Sequence, residues 1–350
     1  MIPCDRPKPA SFPRAQEWVK ARTALCALAL TCLGTSFAGR DARAQTANDY
    51  PTRPVTLIAP FSAGGDADIA ARNLAVVAQA ALGQPIVVVN RAGASGAIGS
   101  LAVKLAKPDG YTLLLARVGS QVLVPALQPD AAYRFNDFTV IGLLEVDPVI
   151  CAVRADSPIA SMKDLGNALR ASPGRLNYST SGPATVLNLA PQLFFDTLGL
   201  AKEAAVQVAY KGGSEAAMAV LSGDADFSCG NLTSMLGQVK SGKMRGLLVT
   251  TTERLKELPD VPAASESGYP QLAQIVGWSA LYGPPGLPRA VVDAWARVLQ
   301  RAAGDARWVS VTEGSGGVPR VLSPVDTEKF AADQFTLYDR LGKKLQLKLQ

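Results

Sequence analysis

The chain has 350 residues, 48% of them hydrophobic and 18% charged, which is globular rather than disordered or fibrous and long enough for roughly two domains with cores of their own. It contains no histidine, which excludes Ser-His and Cys-His nucleophile pairs and His-ligated zinc or haem, and none of its five cysteines forms a CxxC pair that could start a cysteine-only metal cluster. The net charge of +6 sits mainly at the front: residues 1–44 hold seven Lys or Arg against three acids, so 28 basic and 26 acidic residues remain, with no basic tract and interleaved aromatics to grip nucleic acid.

The first element in chain order is a leader. After Lys20 and Arg22 comes ALCALALTCLGTSFAG, too short to span a bilayer comfortably and suited to the apolar region of a signal peptide. Ala42-Arg43-Ala44 supplies the small-x-small pattern for cleavage before Gln45, so residues 1–44 read as a signal peptide and the mature protein as exported to the periplasm. Thr31 before Cys32 is a poor lipobox residue and argues against a lipid anchor. Only Cys151 and Cys229 survive cleavage. The compartment permits a disulfide between them, but two buried small hydrophobes fit the sequence as well.

From Tyr50 the pattern alternates between strand and helix. VTLIAP ends at a glycine-rich turn, and DIAARNLAVVAQAAL follows at helical period and stops at Gly83-Gln84-Pro85. IVVVN, AIGSLAVKLA and YTLLLA continue as strand, helix and strand, the strands apolar throughout as burial on both faces requires. FTVIGLLEVDPVICAVR is a long extended stretch that leaves one sheet and enters another. Beyond it, VICAVR, LNYST, VQVAYKG, ADFSCG and MRGLLVTT are predicted strands. SMKDLGNALRA, LNLAPQLFFDTLG, SEAAMAVLSG and TSMLGQVKSG are predicted helices, with Pro191 expected early in its helix. After WSALYGPPG, two helices, PRAVVDAWARVLQRAAG and DTEKFAADQFTLYDRLGKKLQL, could return the chain to the first domain. The result is an α/β fold of two doubly wound lobes around a hinge and a central cleft, lobe one being 50–145 plus 278–350 and lobe two 146–277.

Ligands of such sheets bind beyond the carboxyl ends of the strands, so the post-strand loops carry the candidate site. The first is Pro60-Phe61-Ser62-Ala63-Gly64-Gly65-Asp66-Ala67-Asp68. Its glycines and the following helix N-terminus could form an anion cradle of main-chain N–H groups; equally, it could be a tight turn with Asp66 or Asp68 as the helix-capping acid. The second, running from Asn90 to Gly99, has G-x-x-G-x-x-G spacing after the wrong strand, a poor dinucleotide fingerprint that suits close helix–sheet packing instead. The remaining loops bring Arg117, Ser120, Thr180, Ser181, Gly182, Thr185, Tyr210, Lys211, Gly212 and Asn231. Hydroxyls, amides and glycine N–H groups dominate, which suits hydrogen-bonding a small anion, although capping accounts for Ser and Thr here equally well.

PFSAGGDADIAAR, VVVNRAGASGAIGS, KPDGYTLLL, GRLNYSTSG, AYKGGSEAAMAVLSGDADF, GKMRGLLVTTTERLKELPDVPAASESGY and YGPPGLP resemble, in this order, the Bug-type extracytoplasmic solute receptors of tripartite tricarboxylate transporters, from about Tyr50 to the C-terminus. The resemblance implies a type II periplasmic-binding-protein architecture that closes around a small carboxylate (a dicarboxylate, tricarboxylate, amino acid or aromatic acid) and delivers it to transporter membrane subunits or a sensor. It implies no catalysis, no cofactor or metal, and a monomer. The family's carboxylate-holding loop maps to Phe61, Ser62, Ala63, Gly64 and Gly65, its closing acid to Asp68, its second-lobe hydroxyl loop to Thr180, Ser181, Gly182 and Thr185, and its YKG to Tyr210, Lys211 and Gly212.

Several positions depart from the pattern. Arg117 stands where a small hydroxyl residue is common, Gln121 and Val124 replace a His and an Asn, Pro183-Ala184 replace an Asn-Gly pair, and Gly230 replaces an Asp before Asn231. Arg117 is the informative one: a guanidinium in the cleft could meet a ligand carboxylate directly, or stand at the rim in solvent. Two other classes remain for comparison. A His-free exported hydrolase would need Lys211 or a carboxylate as base and has no G-x-S-x-G elbow; a cytoplasmic regulator domain would need a helix-turn-helix, which is not seen.

Overall fold

The computed structural model describes residues 50–347; the expected leader and cleavage site, with Cys26 and Cys32, lie outside them. Lobe one starts with β1 (Val55–Ala59), whose alternation of fully buried Val55, Leu57 and Ala59 with Ile58 shows a strand covered on both faces. α1 (Asp66–Leu82) follows and ends on Gly83 in the left-handed conformation that favours glycine. β2 (Ile86–Asn90), α2 (Ala97–Lys104) and β3 (Thr112–Arg117) complete the expected βαβαβ run, and β1 pairs in parallel with both β2 and β3. The helical stretch after β3, which ends in the short α3 (Val124–Leu127), was read from sequence as loop; all its residues from Gly119 to Val124 are buried.

β4 (Thr139–Arg154) is the expected extended crossing. Its first part pairs antiparallel with β9 (Val276–Gly283) up to Pro148, and its second part, from Val149, pairs antiparallel with β7 (Phe227–Asn231). One 16-residue strand therefore belongs to both sheets, and the order runs β2-β1-β3-β9-β4-β7-β5-β6. Lobe two holds α4 (Met162–Ala171), β5 (Asn177–Thr180), α5 (Val186–Thr197), β6 (Val206–Ala209), α6 (Gly213–Ser222), β7, α7 (Leu232–Lys240) and β8 (Met244–Val249). α4 opens on the N-cap Ser161, whose Oγ accepts from the Asp164 N–H and donates to the Asp164 carboxylate. Pro191, expected early in its helix, is the sixth of the twelve residues of α5, one place further in than the predicted start at Leu187 put it.

After β9, α8 (Arg289–Gly304), α9 (Ala306–Ser315), the two-residue β10 (Val318–Pro319) and α10 (Pro324–Lys344) follow. α9 was not predicted. Val309, Val311 and Thr312 give it weak intrinsic propensity, but Gly304 ends α8 and Asp305 caps the new helix by accepting from Trp308 N–H at 2.9 Å. Cys151 and Cys229 face each other in the β4–β7 register and form a disulfide, the alternative the sequence had left open. Among the described residues no helix is long and apolar enough to cross a membrane.

Candidate functional site

The loops at the strand ends of both lobes meet. Ser62 N–H donates to the Lys211 carbonyl at 3.2 Å, Ser214 Oγ donates to the Gly64 carbonyl, and Ala184 N–H donates to Ser95 Oγ at 3.1 Å. Glycines allow this approach: a Cβ at Gly212 would overlap Ser62 Oγ, and one at Gly182 would overlap Ser95 Oγ. Phe61 is buried and its ring lies against Gly96 and Gly119, fixing the base of the first loop.

The glycine nitrogens of that loop, which the cradle reading needs free, are both engaged. Gly64 N–H donates to Asp68 Oδ2 at 2.9 Å and Gly65 N–H to the Ser62 carbonyl at 3.4 Å. Asp68 is the third residue of α1 and its carboxylate reaches back to the Gly64 N–H, so the loop serves itself there; the helix N-cap is Gly65, without a side-chain cap, where Asp66 or Asp68 was expected. Burial pushes the Asp68 carboxyl up, but its bonds to Arg72 and Gly64 outweigh this and hold it below the usual range.

Arg117 likewise meets carboxylates of the protein itself. It is 2% exposed, and its guanidinium donates to Asp66 Oδ2 at 2.7 Å, to Asp147 Oδ2 at 3.0 Å and to Ser279 Oγ at 2.7 Å, with Glu145 at 3.9 Å. Ser279 passes the chain on to Glu145 Oε1 at 2.9 Å. Asp66 also accepts from Asn231 Nδ2 of lobe two, and Asp147 Oδ1 accepts from the Thr233 N–H at the head of α7 at 3.2 Å. Sequence reading missed Glu145, Asp147 and Ser279 as partners, although Glu145 and Asp147, two acids two apart in an apolar crossing strand, were a visible oddity. Ser120 turns inward and holds the end of β3 through both main-chain groups of Arg117.

The second wall is the hydroxyl loop. Thr180 Oγ1 accepts from Gln207 and from the Gly182 N–H, and Thr185 Oγ1 donates to the Gly182 carbonyl at 2.8 Å; Ser181 is buried beside them. Tyr210 N–H donates to the Thr180 carbonyl, while Lys211 is exposed and its N–H bonds Glu215. Three hydroxyls of the region, Ser62 Oγ, Ser234 Oγ and Thr233 Oγ1, are buried without a partner. The first two flank Gly212 and Gly213 at the start of α6. Among the described residues no cluster of His, Cys, Asp and Glu is arranged to hold a metal ion.

Burial is the main cause that raises Glu145 to about 7 and Asp147 to about 6, with neighbouring acids pushing the same way and Arg117 opposing. Both groups therefore bind protons more tightly folded than unfolded, so their burial penalty is absent below the ordinary carboxylate range, builds as pH rises from there to about 6 and about 7, and is complete above. The thermal midpoint is expected to fall by about 5 °C between pH 5 and pH 8, and Glu145→Gln should flatten that slope. Equal slopes in the two proteins would show that the cluster does not titrate in this window.

Comparison with known proteins places this geometry. Residues 70–347 match the family described as the tripartite tricarboxylate transporter family receptor. Protein BugT of Bordetella pertussis is 29% identical over 307 residues, covering 87% of this chain and 93% of BugT. The structure of the periplasmic binding protein BugD superposes with a TM-score of 0.81 at 30% identity, covering 86% of this chain and all of BugD. MatC from Rhodopseudomonas palustris with bound malate gives 0.79 at 27%, covering 83% and 99%. The chain belongs to the tripartite tricarboxylate transporter receptor family, as a Bug-type periplasmic solute receptor with the two-lobed binding-protein fold, and that family consists of receptors rather than enzymes.

Proposed function

From that membership we propose that the mature chain, exported and acting as a monomer, captures a small carboxylate between its lobes and delivers it to a membrane transporter or sensor. The observation that carries the reading is the direct bonding of Ser62 and Gly64 to Lys211 and Ser214 across the cleft, beside buried hydroxyls with no partner. A ligand carboxylate accepts from Ser62 Oγ, Ser234 Oγ and the first-turn N–H groups of α6, which no helical carbonyl takes. Phe61, Ala63 and Gly65 shape one wall. Thr180, Ser181, Gly182 and Thr185 shape the other, while Tyr210, Lys211 and Gly212 close over the acid from lobe two. Asp68 and Ser120 brace the loops, Asn231 ties the lobes, and Arg117 holds Asp66, Asp147 and Glu145 together beneath them. The malate bound to MatC supports a small organic acid as the ligand class. Ligand that bonds both lobes shifts the open–closed balance toward the closed form, which a membrane partner then reads.

The test is a thermal-shift screen of mature protein against mono-, di- and tricarboxylates, amino acids and aromatic acids. A binding acid raises the midpoint as its concentration rises, by about 2.7 kcal/mol of stability at a hundred times its dissociation constant. Gly212→Val, whose side chain would overlap Ser62 Oγ and hold the loops apart, should abolish the shift and also lower the unliganded midpoint, since the Ser62–Lys211 bond is lost with it. A full panel without any shift would refute the reading.

A further inference from the structure

In the cluster at the base of the cleft three carboxylates share one guanidinium. Asp66, at the first position of α1, is 5% exposed; its Oδ2 accepts from Arg117 of lobe one and from Asn231 of lobe two. These are one charged and one amide donor, from opposite lobes, converging on one carboxylate oxygen, which is how a closing receptor grips an acid. The donor pair is thus filled by the protein's own acid. The charge left over is negative, because Asp147 and Glu145 add to Asp66 against Arg117 alone. Lys211 is exposed, so solvent screens its ammonium and weakens its compensation.

We propose that Asp66 is a resident carboxylate that pre-empts one of two acid-binding positions in the cleft, making the receptor selective for acids with a single carboxylate and an uncharged remainder. This rests on the reading of the cleft as a carboxylate site and narrows it. The second carboxylate of a dicarboxylate finds Arg117 and Asn231 already engaged, and its charge lies over a buried cluster that is already negative. A single carboxylate needs only the hydroxyls and N–H groups at the start of α6. A ligand class set in this way departs from the dicarboxylate bound to MatC.

The experiment is calorimetric titration of mature wild-type protein and Asp66→Asn with matched acids differing only by a methyl in place of the second carboxylate: 3-hydroxybutyrate against malate, hexanoate against adipate, 4-methylbenzoate against terephthalate. Wild type should favour the monocarboxylate of a binding pair by at least about tenfold. Asp66→Asn removes the resident charge, so the dicarboxylate should gain about tenfold while the monocarboxylate changes less than about threefold. A purely structural Asp66 would weaken both acids alike and leave their ratio unmoved, which would overturn the proposal. So would a wild-type protein that binds the dicarboxylate as tightly as its partner, and that comparison decides even if the variant fails to fold. Binding without discrimination removes the inference and leaves the carboxylate receptor; no binding of any acid removes both.

Discussion

Replacing Arg117 by alanine should destabilise the protein by about 3–5 kcal/mol, because it leaves buried carboxylates without their counter-charge. The guanidinium is 2% exposed and its acid partners Asp66, Glu145 and Asp147 are each 5% exposed or less. Burial works against its charged form, yet Asp66, Asp147 and Glu145 outweigh that and hold its pKa above the ordinary value. The pairing therefore stabilises Arg117 as a cation and the acids as anions together, and taking away the shared partner forces the acids to protonate or to remain charged in a poor solvent. The loss should depend on pH with a definite sign. Carboxylates already raised in the wild type rise further in Arg117→Ala, so the variant should lose more at pH 8 than at pH 5. Thermal or urea unfolding at the two pH values reads both effects, the midpoint falling on the order of 10 °C at pH 8. Arg117→Lys should recover only part, since one ammonium cannot reproduce the fork that serves Asp66, Asp147 and Ser279 at once. A loss below about 1 kcal/mol at both pH values would mean that the cluster is neutral without its arginine.

This cluster also marks where sequence reading ran out. The strands and main helices follow from apolar runs and their stops, as with the fully buried Val55 and Leu57 or Gly83 at the end of α1, because those signals are local. The post-strand loops were found by the same logic, and Ser62 does meet Gly212 across the lobes, as Ser95 meets Gly182. What their atoms bond could not be read. Gly64 N–H had two physically sound uses, a ligand or a cap, and the choice fell to the Asp68 side chain one turn away. Arg117 was expected to meet a foreign carboxylate because its partners Asp66 and Asp147 lie 51 and 30 residues distant, and nothing in the spacing says that the ends of β3 and β7, the middle of β4 and the start of α1 share one point. α9 was missed for the converse reason: its propensity is weak, and a single capping acid, Asp305, with burial of Trp308 outweighs it.

The same limit applied to Cys151 and Cys229, whose pairing depends on strand register and so could not be decided from sequence. In the structure they are opposite each other on β4 and β7, both 1% exposed, and their bond closes a loop with a sequence separation of 78. A cross-link over a loop of that length stabilises by about 4 kcal/mol, chiefly by restricting the unfolded chain. Replacing both cysteines by alanine should therefore lower the unfolding free energy by about that amount, measured by denaturant unfolding, with a steeper slope because the unfolded chain without the cross-link is more expanded. Because both sulfurs are buried, reductant alone should leave the native protein intact and act only as the chain unfolds, so wild type unfolded under reductant should approach the variant's midpoint. If wild type and the double variant unfold together under oxidising conditions, the bond contributes nothing. The bond's position links stability to the site. Four residues before Cys151 on β4 stands Asp147, and two after Cys229 on β7 stands Asn231, the two groups that bring Arg117 and Asp66 into contact with lobe two. Fixing Cys151 opposite Cys229 fixes the register that brings those groups together, so the loss in the double variant should exceed the loop-closure value if the cluster loosens with it, and the excess should shrink at pH 5, where Asp147 and Glu145 are protonated.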